Sequence, residues 1–159
     1  MKHTKNILKS LLITVMALSL LAVSCSKDEG GSKPTNPTPT KLELAKQAAS
    51  AAKTEAAAIA AEQAPTEKKV KTVATMIATA ATAIADAATG ELKTKVEAVK
   101  TAAESATTTN NLKEEAGKVE TAAVGAVAAV TAANTDLKAA VDDLKTAATS
   151  LKTAAQKLN

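Results

Sequence analysis

The chain has 159 residues, with 20 lysines, no arginine, 16 acids and no Phe, Trp or Tyr. A single His and a single Cys exclude Ser-His-Asp and Cys-His catalysis and His/Cys zinc sites once His3 and Cys25 are otherwise accounted for. The net charge of +4 comes largely from Lys2, Lys5 and Lys9; beyond residue 24 there are 20 − 3 = 17 lysines against 16 acids, net +1, which is no basic face for nucleic acid.

The three leader lysines precede Leu11–Val23, thirteen residues without a charge. At about 1.5 Å per residue the run covers roughly 20 Å as a helix, short of the roughly 30 Å bilayer core. It has the length of a secretory signal core. It ends at Ala22-Val23-Ser24-Cys25.

This junction resembles the lipobox of bacterial lipoproteins, with Ala22 in the first position in place of the preferred Leu. The resemblance implies cleavage before Cys25, a diacylglyceryl thioether on the Cys25 sulfur and an acylated new amine. Residues 1–24 are then a signal peptide, and Cys25 is the lipid-attachment site. Two or more acyl chains are what stable anchoring requires. An ordinary secretory signal cut near Ser24, or a single-span anchor, is the competing reading. Ser26 lacks the Asp that marks inner-membrane retention in enterobacterial lipoproteins. Lys27-Asp28-Glu29 resembles the surface-export signals of Bacteroidetes-type lipoproteins. Ser26 leaves the outer membrane open, and a solvated start of the tether is the competing reading of residues 27–29; the expected location is the cell envelope, outer membrane or cell surface, of Gram-negative or spirochaete type.

The segment 25–40 reads as a tether. Gly30 and Gly31 loosen it, and Pro34, Pro37 and Pro39 favour extended backbone. A proline-rich docking motif is the less economical reading.

Residues 41–159 are predicted to be an all-α domain: an alanine-rich antiparallel helical bundle or coiled coil of four to five helices. Thr40-x-x-Glu43 has the form of a capping box, and Pro65 stops the first helix near Ala64. Thr66 caps a second helix, with Val70, Ile77 and Ile84 seven apart and Gly90 as its C′ residue. A third runs from Glu91 to about Ala106, with Leu92, Val96 and Val99 on its inner side. Thr107–Asn111 is a turn, and Asn111-x-x-Glu114 a second cap pattern. A fourth helix covers 112–133. Asn134-Thr135-Asp136 either opens a fifth or lies inside one long helix. Gly117 and Gly125 weaken the fourth helix or permit close helix approach.

The phrases LKTKVEAVKTAA at 92, LKEEAGKVETAA at 112 and LKAAVDDLKTAA at 137 align without gaps. Their starts lie 20 and 25 residues apart, so they set no solenoid period; duplication and low-complexity drift both account for them. Val130, Leu137, Leu144, Leu151 and Leu158 form a heptad column, with Val127, Val141, Ala148 and Ala155 as partners and Asn134 interrupting them. Leu137, Leu144, Leu151 and Leu158 form a seam to another helix of the same chain or, by self-association, of a neighbour. Lys152, one residue along, falls on the expected solvent face.

No catalytic residue, metal ligand or cofactor is expected. Ser50-x-x-Lys53 lacks the companion motifs of penicillin-binding enzymes. Glu114-Glu115 and Asp142-Asp143 are neighbours that diverge on a helix. The membrane, through the N-terminal lipid, is the expected partner, and nucleic acid is not. The body resembles small alanine-rich envelope lipoproteins, of which murein lipoproteins are the coiled-coil type. Their peptidoglycan link uses a C-terminal Lys, whereas here Lys157 lies two residues short of the end. Two functions follow: a structural or surface-display body, and alternatively an adhesin or other binding module that uses the helical surface.

Overall fold

A computed structural model describes residues 38–158. The leader, Cys25 and the tether as far as Pro37 lie outside the described residues. Five α-helices follow Thr40: α1 Lys41–Ala61, α2 Glu67–Ala87, α3 Gly90–Thr108, α4 Leu112–Ala128 and α5 Lys138–Gln156. A 3-10 turn, Ala132–Leu137, leads into α5. No strand occurs among the described residues. Each helix is about 25–30 Å long at 1.5 Å per residue.

The first two helices start where a threonine side chain can hold a free N–H group. At α1 the capping box closes: Glu43 N–H donates to Thr40 Oγ1 at 3.2 Å, and Thr40 N–H donates to Glu43 Oε2 at 2.7 Å. Thr66 Oγ1 accepts from Lys69 N–H at 3.4 Å, a longer version of the same cap. Asn111 does not cap with its side chain. Its Nδ2 donates instead to Glu114 Oε2 at 2.7 Å, so the cap pattern becomes a side-chain clasp.

Several boundaries differ from those the sequence suggests. α1 ends at Ala61, before the expected Ala64, because Glu62 is already extended and Ala64 precedes a proline. Gly90 does adopt the left-handed region, with φ 61°, but as the first residue of α3. Ala88 and Thr89, both extended, make the α2–α3 turn. α3 runs two residues past Ala106, helped by Thr107 and Thr108 hydroxyls that donate to the carbonyls of Glu104 and Ser105. α4 stops at Ala128 rather than 133. Val124, Val127, Val130 and Thr131 are β-branched and Gly125 is among them, so this stretch propagates a helix poorly. The question of one helix or two over 112–158 thus resolves to two.

Short connections fold the helices back on one another. Two residues join α2 to α3 and three join α3 to α4, which leaves only antiparallel neighbours. α1 packs on α2 and α5, α2 on α3, α3 on α4 and α4 on α5, closing a ring; α2 and α5 also touch across it. Lys157, just past α5, reaches the last carbonyls of α1. α1 and α5 therefore run parallel, and all other adjacent pairs run antiparallel. One end of the bundle holds Thr38–Thr40, the α2–α3 turn and the 3-10 turn, which α1 touches. This is the tether end.

The width of each buried stripe matches the number of neighbours. α1, α3 and α4 have two each and bury five residues at alternating spacings of four and three. On α3 these are Leu92, Val96, Val99, Ala103 and Ala106; on α1, Ala45, Ala49, Ala52, Ala56 and Ile59. α2 and α5 each meet three helices and bury nine and eight residues. A coiled-coil seam needs two of every seven positions, a helix with neighbours on several sides three or more. α2 is also apolar and long enough to span a bilayer, but its Val70, Ile77 and Ile84 column is wholly buried in the bundle.

The three repeated phrases place identical positions inside. Leu92, Val96, Val99 and Ala103 on α3 correspond to Leu112, Ala116, Val119 and Ala123 on α4, and to Leu137, Val141, Leu144 and Ala148 at the start of α5. All twelve are buried. The phrases open α3 and α5 at the tether end and α4 at the opposite end. The leucine column is covered by the chain's own helices: Leu137, Leu144 and Leu151 are buried and Leu158 is partly so.

Threonine is a poor helix former, yet α2 carries four on its outer side. Thr72, Thr75, Thr79 and Thr82 each donate their hydroxyl to the carbonyl four residues back, at 2.9–3.1 Å. This satisfies the hydroxyl without a tertiary partner.

Candidate functional site

The one site residue expected from sequence, Cys25, lies outside the described residues. What the structure positions is the polar and exposed surface of the body it would carry.

Asn134 is the only buried polar residue among those described, 7% exposed. Its Oδ1 accepts from Thr89 N–H at 3.1 Å and from Thr89 Oγ1 at 3.4 Å. Its Nδ2 donates to the Thr89 carbonyl at 3.2 Å. A single side chain thus satisfies both backbone groups of the residue at the α2–α3 turn and ties that turn to the α4–α5 link. Its position in the heptad partner column, between Val127 and Val141, marks it in the sequence as an interruption; its partner 45 residues away is not readable there.

The paired carboxylates go to separate cations or share one. Asp142 pairs with Lys138 on its own helix at 2.5 Å, and Asp143 reaches Lys53 of α1 at 2.7 Å. Glu114 and Glu115 both hold Lys118, at 3.0 and 2.7 Å. Their hydrogen bonds, Glu115 first, raise the Lys118 pKa above the ordinary lysine value. Lys53, the Lys of the S-x-x-K string, is therefore engaged by Asp143, and Ser50 lends its carbonyl to the Thr54 hydroxyl. On the surface of α3, Glu91 and Lys95 stand at 4.0 Å.

Two lysines do more than solvate the surface. Lys152 donates to Glu120 Oε2 at 2.6 Å and ties α5 to α4. This corrects the expectation that Lys152 lies on the solvent face: it is half-buried between helices. The Lys152 hydrogen bond, followed by one from Thr149, holds the Glu120 carboxyl below the usual range against the opposing effect of burial. Lys157 Nζ donates to the carbonyls of Ala60 at 2.6 Å and Glu62 at 3.1 Å. A cation on the C-terminal carbonyls complements the α1 dipole.

The glycines do not mediate close approach. A Cβ at Gly117 or Gly125 would meet nothing within 4 Å, so the alternative that they only weaken α4 holds.

Two hollows open to solvent lie on the surface. One of about 370 Å³, at the end opposite the tether, lies among Ala64, Pro65, Asn111, Lys113 and Lys157. Another, beside Lys68, Lys71 and Thr75 of α2, is an open groove toward Thr107. Among the described residues, no three His, Cys, Asp or Glu side chains stand together as a metal cage.

No protein-family profile matches the chain, and no curated protein or solved structure is significantly similar to it.

Proposed function

We propose that the protein is a membrane-anchored bacterial envelope lipoprotein whose five-helix body serves a structural or surface-display role. The observation that carries the reading is the position of the sole cysteine, Cys25, immediately after an uncharged thirteen-residue run and a small residue. The body suits display on a tether. Its leucine column is spent on its own core, and several of its charges pair with one another, within helices and between them. The anchor is read from sequence; the body's contribution is a compact load at the end of a chain segment that begins at the lipid.

The test is Cys25→Ser expressed in a Gram-negative host beside the unaltered chain. The unaltered protein is expected in the membrane fraction and the variant in the soluble periplasmic fraction. Equal membrane retention of both would overturn the anchor. Protease added to whole cells then separates display at the surface, where the body is cut, from a role inside the envelope. The binding-module reading requires a surface that recognises a partner. Trp, Tyr and Arg, the usual interface anchors, are absent from the chain, so adhesion would rest on many anchored copies acting together.

A further inference from the structure

Residues 121–135, TAAVGAVAAVTAANT, form a fifteen-residue run without a charge. The only comparable run among the described residues, 72–85, lies in α2, whose apolar face is consumed by the core. Run 121–135 is different. It forms the last two turns of α4 and the link to α5, and its outer side is uncovered. Val124 is 49% exposed and is the only exposed large hydrophobic side chain among the described residues. Val127 and Val130 are half-buried, and Ala128, Ala132 and Ala133 are exposed. From Val124 to Ala128 the helix rises only about 6 Å, so the patch is confined to the tip of the bundle. The tip is the tether end: α1, which begins one residue after Thr40, touches the 3-10 turn.

We propose that this uncharged patch is a membrane-contact surface that lies on the bilayer to which Cys25 is anchored. The inference rests on the lipoprotein reading. Twelve residues lie between Cys25 and Thr38, and the thirteen residue steps across them, at 3.3–3.6 Å each, reach at most about 47 Å. The tether therefore leaves the body at the same end as its one exposed apolar patch and keeps that end near the lipid. Amphipathic surfaces seat about 5–10 Å into the headgroup region, which matches the depth of the patch. A few valines and alanines bind lipid weakly by themselves. Tethering makes the contact intramolecular and raises its effective concentration. The rim carries both signs, Lys41, Lys93 and Lys138 against Glu43, Asp86, Glu91 and Asp136, all exposed. The contact is thus apolar rather than electrostatic, and persists at about 1 M salt, where the screening length is about 3 Å.

The experiment uses the full lipidated protein in phosphatidylethanolamine/phosphatidylglycerol vesicles. With Cys25 in thioether linkage, a cysteine introduced by substitution is the sole free thiol. An environment-sensitive fluorophore is placed on Val124→Cys at the tip or on Asn110→Cys at the far end. Emission at position 124 is expected to shift to the blue and to be quenched several-fold more strongly by lipid-borne nitroxide than at 110, at low and high salt alike. Val124→Asp is expected to return a probe on Ala132→Cys to a water-like spectrum while leaving the melting temperature unchanged. Water-like emission at both 124 and 110, with Cys25 lipidation confirmed by mass, overturns the inference and leaves the anchor standing. A blue shift at 124 that grows with protein density but ignores the lipid quencher assigns the patch to a second copy of the chain and also overturns it. An unlipidated Cys25 removes both readings.

Discussion

Asn134 shows how one side chain can choose between arrangements that the rest of the sequence leaves nearly equivalent. α3, α4 and the start of α5 present the same inward sequence of residue types, so the core alone discriminates weakly among their positions. The Asn134–Thr89 bonds are made only when the α4–α5 link meets the α2–α3 turn. Asn134→Ala is expected to lower stability by about 1–3 kcal/mol, the range for leaving buried polar groups unpaired. Asn134→Asp replaces the Nδ2 donor with an oxygen facing the Thr89 carbonyl and should cost at least as much at neutral pH. Urea titration of the two variants checks both. The glycines divide by backbone rather than by space. Gly90 has room for a Cβ but a φ of 61°, so Gly90→Ala should destabilise by about 1–2 kcal/mol. Gly117→Ala and Gly125→Ala, in free space with helical backbone, should each stabilise by up to about 1 kcal/mol. The same titrations that reverse this order would contradict the assigned backbone. Glu120 sets a pH dependence. Its folded-state pKa is depressed by Lys152, so its contribution is fully present above the unfolded value of about 4.3 and is lost as pH falls through the folded pKa. Lys152→Met should therefore narrow the stability difference between pH 6 and pH 3; an unchanged acid limb would show that the pair does not form in solution.

Among the elements, α5 carries the widest consequence. Leu151 is fully buried on the helix that packs against three others, and Leu151→Ala should cost about 2–5 kcal/mol. Gln156, exposed on the last turn, is the proper control, and Gln156→Ala should stay within about 0.5 kcal/mol. Lys152→Ala is not neutral, since it breaks an inter-helix pair worth up to about 1 kcal/mol. Much of this level is legible in the sequence. The heptads of α2, α3 and α5, the capping box at Thr40 and the break at Pro65 are local signals, and they place most helices within a few residues. The stripe on α1 is not legible. Its buried Ala45, Ala49, Ala52 and Ala56 are chemically identical to the exposed Ala57 and Ala58 on the same helix, so periodicity carries no contrast there. The end of α4 was hidden for a related reason: alanines continue through Ala133, and only the accumulation of valines and the partner of Asn134 stop the helix. Long-range polar contacts such as Lys152–Glu120 and Lys157 on the α1 carbonyls depend on tertiary placement, which no single stretch encodes.

For the whole molecule, the folded body is a ring of five helices with α2 and α5 meeting across it. Because the leucine column is internal, the loss caused by Leu151→Ala should be the same at low and high protein concentration; a loss that grows on dilution would place the seam between chains. The body is asymmetric: the end that adjoins the chain segment leading back to Cys25 carries the exposed Val124 within the uncharged run 121–135, ringed by charges of both signs. We propose that the mature protein is this bundle on a lipidated cysteine. The most direct test is the intact mass of the protein extracted with detergent from bacterial membranes. The account predicts a chain that begins at Cys25 and carries the added mass of a diacylglyceryl group and an amide-linked acyl chain. A chain that begins at Met1, or a Cys25 that reacts as a free thiol, would contradict it.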